Sequence, residues 1–316
     1  MRELIRSNDP VFLSWITHRL ADEGIGALVL DTHASIMEGS LGVLPRRVMV
    51  AEDDLSRATW ILDAGPDPAP EEDTGTTRDT LLDGRVILHQ PGVGYRAAID
   101  PVLLAAATPA RAGQRILDAG CGVGAAALCL LARESSLQVT GVELQSDLAH
   151  LAEVNAAENG VSDCFQVLEG DLLKPPSGRL RAPFDGVLSN PPFLTTEDGN
   201  PPQDPVRFTA HVAEGWNIGA WVDACLAVLR PKGTLTLIYR ADRLDRLLAA
   251  LHGTVGELKI IPLWPKAGRP AKRVIVSGRK GIASPTTLHP GLVLHEENGE
   301  FTAETTAILK DGGALT

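Results

Sequence analysis

No apolar run in this chain is long enough to cross a bilayer as a helix, so no membrane anchor is expected. The first residues, MRELIRSNDP, lack the apolar core of a signal peptide. Cysteine is rare. The four thiols, at 121, 129, 164 and 225, show no C-x-x-C spacing. That argues against a zinc ribbon or a redox dithiol and points to free thiols in a reducing cytoplasm. The eight histidines form no H-E-x-x-H or similar cluster, and no metal is expected. Basic charge is also in deficit: 29 Lys and Arg against 40 Asp and Glu leave a net charge of −11. Such a balance disfavours a nucleic-acid binder until its distribution is considered.

That distribution is uneven. Between Ala51 and Asp83 ten acidic residues face two basic ones. Between Pro262 and Lys280 there are six basic residues (Lys266, Arg269, Lys272, Arg273, Arg279 and Lys280) and no acidic one. The second stretch reads either as a solvated face or as a phosphate-contacting patch, with Lys272 and Arg273 as candidate substrate contacts. At 316 residues, 44% hydrophobic and 22% charged, the chain has room for two domains and an ample core.

The organising stretch is RILDAGCGVGAAA, Arg115 to Ala127. An apolar strand leads through Asp118 into three alternating glycines, Gly120, Gly122 and Gly124, and then into an Ala-Leu helix. Glycines let a turn be tight and let a ligand lie against bare backbone. The next strand, from Gln138, ends at Glu143, where an acidic residue suits a ribose diol. The spacing D-x-G-x-G-x-G departs from the dinucleotide pattern G-x-G-x-x-G, so the ligand need not be NAD.

Three parts follow from the chain's patterning. Residues 1–65 read as a small βαββα unit of ferredoxin-like type, with Phe12, Trp15, Ile16 and Leu20 on one helix face. Residues 66–80 read as an acidic flexible linker. Residues 81–316 alternate strands and helices, which predicts a doubly wound, mostly parallel, seven-stranded Rossmann-like α/β sheet. Strands are predicted at 115–118, 138–143, 164–168, 184–189 and 233–239, with an antiparallel pair from 257–263 and 272–277. Asp100 and Ser146 are predicted as helix N-caps. Gly120, Glu143, Asp171 and Asn190 each follow successive strands and so converge on one carboxyl-terminal rim.

At these residues the chain resembles the Rossmann-like S-adenosylmethionine (SAM) methyltransferases. The resemblance implies SAM as cofactor. Backbone N–H groups of the glycine turn would hold the methionine end. Glu143 would accept from the ribose hydroxyls, Asp171 from the adenine amine, and Asp118 would orient the region near the sulfonium. The segment before the first core strand, with Tyr95 and Asp100, would fold over the methionine end.

Asn190-Pro191-Pro192-Phe193 follows the fourth strand and resembles the N-P-P-[FY] motif of amino-group methyltransferases. Two prolines stiffen the corner. The Asn190 side-chain oxygen and the Pro191 carbonyl could then accept both hydrogens of an amine, and Phe193 could stack a planar base. QPGVGYRAAIDPVLLAA, DAGCGVGAAAL, SNPPF and RPAKRVIVSGRK together resemble bacterial tRNA (adenine-N6)-methyltransferases that modify the purine beside the anticodon. That implies a cytoplasmic tRNA partner. The alternatives are a release-factor glutamine N5-methyltransferase, a guanine-N2 enzyme of ribosomal RNA and, in another class, a non-catalytic SAM-sensing module. Residues 1–65 resemble a small family of uncharacterised signal-transducing domains, through MRELIRSNDP, VLDTH and LGVLPRRVMV. This implies a docking or regulatory appendage for a protein or small ligand.

Overall fold

Ile116 and Leu117 are both fully buried, and they belong to different cores. Successive side chains of a strand point to opposite faces, so the strand that carries them is covered on both sides. The computed structural model describes residues 1–7, 13, 16, 17, 20, 25–30, 46–64, 75–92, 96–174, 180, 183–192 and 217–315. By its internal contacts the chain divides into two units, Met1–Gly75 and Thr76–Thr316.

The first unit holds β1 (Arg2–Ser7), β2 (Ala27–Leu30), β3 (Arg46–Val50) and α1 (Leu55–Ala64). Both β1 and β2 pair antiparallel with β3, in the order β1-β3-β2. The first two strands are therefore mutually parallel around a third, the split arrangement of a ferredoxin-like sheet. Leu13, Ile16 and Leu20 pack with Val48, Val50 and Ala58 into its core. Phe12 and Trp15 lie outside the described residues.

The second unit opens with a hairpin, β4 (Thr76–Leu81) and β5 (Val86–Pro91). The linker expected over 66–80 therefore stops short of its predicted end. Thr76 to Leu81 looks too polar for a strand, but it is half-exposed in alternation and pairs with the buried-alternating β5. There follow α2 (Asp100–Ala107), β6 (Arg115–Ala119), α3 (Ala125–Arg133), β7 (Gln138–Glu143), α4 (Ser146–Glu158), β8 (Phe165–Glu169) and β9 (Phe184–Ser189). Then come α5 (Ile218–Val228), β10 (Leu229–Arg240), α6 (Leu244–Leu251), β11 (Val255–Lys266) and β12 (Arg273–Lys280). Two short strands, β13 (Thr287–Leu288) and β14 (Leu292–His295), precede α7 (Ala303–Asp311). No helix of the described residues is long and apolar enough to cross a membrane.

The main sheet runs β11-β12-β10-β9-β6-β7-β8. Strands β10, β9, β6, β7 and β8 are parallel, and β12 is antiparallel to both of its neighbours. The seven predicted strands are present, and β13 and β14 extend the sheet to nine by pairing parallel with the outer edge of β11. They are two and four residues long, too short to show a sequence period. The chain leaves β6 toward β7 and β8, then returns to the other side of β6 as β9. That reversal makes a crevice at the strand ends.

Two predicted caps fall elsewhere. Ser146 is the first helical residue of α4, with Gln145 at the cap position. Asp100 is the first helical residue of α2, and Ile99 precedes it. Gly124, at φ +84°, ends the glycine turn, and a Cβ there would meet the Phe165 ring at 2.8 Å. Gly160 also has positive φ, +67°, but a Cβ there meets nothing within 4 Å. Gly160→Ala should therefore cost about 1 kcal/mol from backbone strain alone. Gly124→Ala adds an overpacking cost and should lose about 2–4 kcal/mol in urea unfolding. Equal losses at the two positions would refute the close approach of the turn to β8.

Candidate cofactor and acceptor site

The parallel register brings the predicted rim residues together. Ala119 of β6 lies level with Val142 of β7 and Ser189 of β9, and Glu143 lies level with Glu169 of β8. Gly120, Glu143, Asp171 and Asn190 therefore leave four adjacent parallel strands at one end of the sheet.

Glu143 is 7% exposed and rigidly held. Its Oε2 accepts the Gly122 N–H and its Oε1 the Gln145 N–H, each at 2.9 Å. Each carboxylate oxygen has a further lone pair for a ligand hydroxyl. Beside it lies a small cleft lined by the apolar Val142, Leu168, Leu172 and Leu180 and by Glu169, Gly170 and Asp171. Asp171 Oδ1 accepts the Leu173 N–H at 2.9 Å, which fixes the carboxylate there.

The glycine turn differs from its sequence reading in one respect. Its N–H groups are largely committed within the protein. Gly120 and Cys121 donate to the Val142 carbonyl, Gly122 to Glu143, and Gly124 to the Cys121 carbonyl. The turn therefore supplies a bare, fixed surface more than a set of anion donors. Asp118 is 2% exposed and accepts the Ala127 N–H at the start of α3, at 3.2 Å. Burial above all, with the neighbouring Glu143 charge adding to it and the Ala127 bond opposing it, pushes its carboxyl up to about 7.

Two residues not picked out from the sequence tie the end of β6 to the end of β9. Ser189 Oγ donates to the Ala119 carbonyl at 2.6 Å and accepts the Trp221 indole N–H at 3.1 Å. The Trp221 ring lies where a Cβ on Gly120 would meet it at 3.3 Å. The only sequence sign of this bridge is a single hydroxyl closing the apolar strand FDGVLS. Asn190 and Pro191 follow directly. Asn190 Oδ1 and Pro191 are buried, and Pro192 is exposed. Phe193 and Tyr95 lie outside the described residues.

The basic run divides between the two ends of the sheet. Because β12 is antiparallel to β10, the β11–β12 turn with Lys266, Arg269, Lys272 and Arg273 lies on the same rim as Asn190. Arg269 and Lys272 are exposed. Arg279 and Lys280 lie at the opposite end. Arg279 pairs with Glu257, and Lys280 donates to the carbonyls of Leu226 and Leu229 at the end of α5. Asp100, expected at the cofactor, receives the Arg273 guanidinium at 3.2 Å. That pair fastens the start of α2 to β12, so Arg273 is half-buried and engaged within the protein.

A family model described as "Methyltransferase small domain" matches residues 84–259. The chain belongs to this methyltransferase family. It is a SAM-dependent methyltransferase. Residues 1–65 match a second model, described as "Putative prokaryotic signal transducing protein". A tRNA1(Val) (adenine(37)-N6)-methyltransferase of Glaesserella parasuis is 30% identical over 66% of this chain and 85% of that protein. The protein of the same name from Dickeya chrysanthemi is 25% identical over 68% of this chain and 87% of its own length. Among solved structures, a predicted O-methyltransferase of Agrobacterium tumefaciens superposes with a TM-score of 0.57 at 26% identity, over 68% of this chain and 98% of its own.

The residues present fit SAM. The lining of the cleft beside Glu143 joins four apolar side chains to a carboxylate at Asp171, the chemistry of an adenine site, and Glu143 presents two fixed acceptors. Asp118 makes a separate test of the turn. Its carboxyl titrates near 7 when folded against an ordinary value of 3.8. The folded state therefore holds an extra proton between these values, and this group's contribution to stability falls as pH rises from about 4 to 7 and is level above. Asp118→Asn keeps an oxygen for the Ala127 N–H and cannot ionise. Its stability relative to the parent should climb across that window in thermal melts, and a pH-independent difference would contradict the buried titration.

Proposed function

We propose that this methyltransferase transfers a methyl group from SAM to the N6 amine of an adenine in tRNA, beside the anticodon, in the cytoplasm. The observation that carries this reading is the place of the Asn190-Pro191-Pro192 corner. It leaves β9 directly beside the glycine turn of β6, across the crevice where the strand order reverses. The names of the relatives support the choice of adenine and of tRNA. The basic β11–β12 turn on the same rim gives phosphates a place despite the acidic whole.

Bound there, SAM supplies an electrophilic methyl carbon on a sulfonium. Glu143 would take the ribose hydroxyls, the cleft of Val142, Leu168, Leu172 and Leu180 would take the adenine ring, and Asp171 would accept from the ring's amine. Asp118 fixes the start of α3 beneath the methionine end. At the acceptor, the Asn190 side-chain oxygen and the Pro191 carbonyl accept the two amine hydrogens of the target base. That draws the nitrogen lone pair out of ring conjugation and aims it at the methyl carbon; as the N–C bond formed the S–C bond would break, S-adenosylhomocysteine would leave, and the surplus proton on nitrogen would pass to solvent. Placement and fixed acceptors lower the barrier without a strong base. The target adenine would leave its stack to reach this corner, and an aromatic residue after the two prolines, Phe193, has the chemistry to stack a planar base. Arg269 and Lys272 contact phosphates, and residues 1–65, joined through an acidic linker, serve as a docking or regulatory module.

Incubation with methyl-labelled SAM and either total tRNA or release factors, followed by digestion, tests the reading. Label should appear as N6-methyladenosine. Label in glutamine or in N2-methylguanosine would overturn it. Asn190→Ala should lower kcat by about 10²–10³-fold with SAM affinity nearly unchanged, and loss of SAM binding would show that the residue serves the cofactor instead. Replacing Arg269 and Lys272 by Ala should make tRNA affinity less salt-dependent, by about 0.7–0.9 in log–log slope for each phosphate no longer neutralised. An unchanged slope would remove the β11–β12 turn from the RNA surface.

A further inference from the structure

Asn155 of α4 and Asn159, the residue that caps its C-terminus, stand about one helical turn apart and face the open edge of β5. Asn159 Oδ1 accepts the Ile87 N–H at 2.9 Å, and its amide donates to the Ile87 carbonyl at 2.7 Å. Asn155 does the same at His89, with bonds of 2.6 and 2.9 Å. Four residues of helix rise about 6 Å. Two residues of strand rise about 6.8 Å. The side-chain amides therefore match the repeat of a strand edge and satisfy it as another strand would.

The two residues differ in one bond. The second amide hydrogen of Asn159 returns to its own helix, at the Asn155 carbonyl. The second hydrogen of Asn155 crosses to the Val123 carbonyl in the middle of the glycine turn, at 2.9 Å. Asn155 is fully buried, and Ala152, one turn earlier, lies where a Cβ on Gly124 would meet it at 3.4 Å. One side chain thus fixes both the Val123–Gly124 peptide and the hairpin that leads into the segment before α2.

We propose that Asn155 is a positioning residue for the cofactor: its bridge from His89 to the Val123 carbonyl holds the glycine turn in its SAM-binding shape. The proposal rests on the reading that this turn carries the cofactor. Asn159 is the internal control, since it clamps the same strand without touching the turn. A helix-to-hairpin clamp alone would make the two residues equivalent.

The test compares Asn155→Ala and Asn159→Ala in the full-length protein by SAM calorimetry, thermal melting and kinetics. Both variants should melt earlier than the parent. Asn155→Ala should weaken SAM binding by about tenfold or more and raise KM for SAM more than it lowers kcat. Asn159→Ala should leave SAM affinity within about twofold. Equal affinities for the two variants would overturn the proposal while leaving the cofactor reading intact. A parent protein that binds no SAM would overturn both. A measurement on the unaltered protein avoids any folding defect: SAM should slow amide exchange at His89, and exchange unchanged by SAM would contradict the bridge.

Discussion

Everything at the site depends on the register of four parallel strands. Strands β9, β6, β7 and β8 end level with one another, and a residue placed just past any of them falls on the same rim. The register is held by burial on both faces, with Ile116 and Leu117 pointing into opposite cores. A slip by one residue would exchange those faces. The bond from Ser189 Oγ to the Ala119 carbonyl, backed by Trp221, then locks the end of β9 to the end of β6. Rigid placement of this kind is what a methyl transfer with no strong base requires.

The glycine turn shows how a fixed surface is made. Most of its N–H groups bond to the Val142 carbonyl, to Glu143 or to the turn itself. Positive φ at Gly120, Gly122 and Gly124 allows the chain to double back so that these bonds form. The same bonds orient Glu143, because its Oε2 is held by the turn it faces. Turn and carboxylate are one unit, and the buried Asp118 anchors that unit to α3.

Most of the fold was legible because strands buried on both faces and helices with apolar faces leave strong local patterns. The Asp118–Gly124 stretch, Glu143 and the Asn190–Pro192 corner were likewise legible as strand ends in an alternating α/β pattern. What escaped depends on partners far away in sequence. Asp100 resembles a cap until Arg273, 173 residues later, takes its charge. The stretch from Pro262 to Lys280 looks like one basic patch until the antiparallel β12 carries Arg279 and Lys280 to the far end. The bonds of Asn155 leave no local sign in the sequence, because they form only when β5 and Val123 are packed against it. Strands β13 and β14 exist because β11 offers an edge, not because their own residues demand a strand.

The most direct test of this account is a crystal structure with S-adenosylhomocysteine and adenosine bound. The ribose hydroxyls of the homocysteine compound should lie on Glu143, its adenine in the cleft beside Asp171, and its sulfur toward the Asn190 corner, with the adenosine amine between Asn190 and the Pro191 carbonyl. Binding of either molecule away from the crevice between β6 and β9 would contradict it.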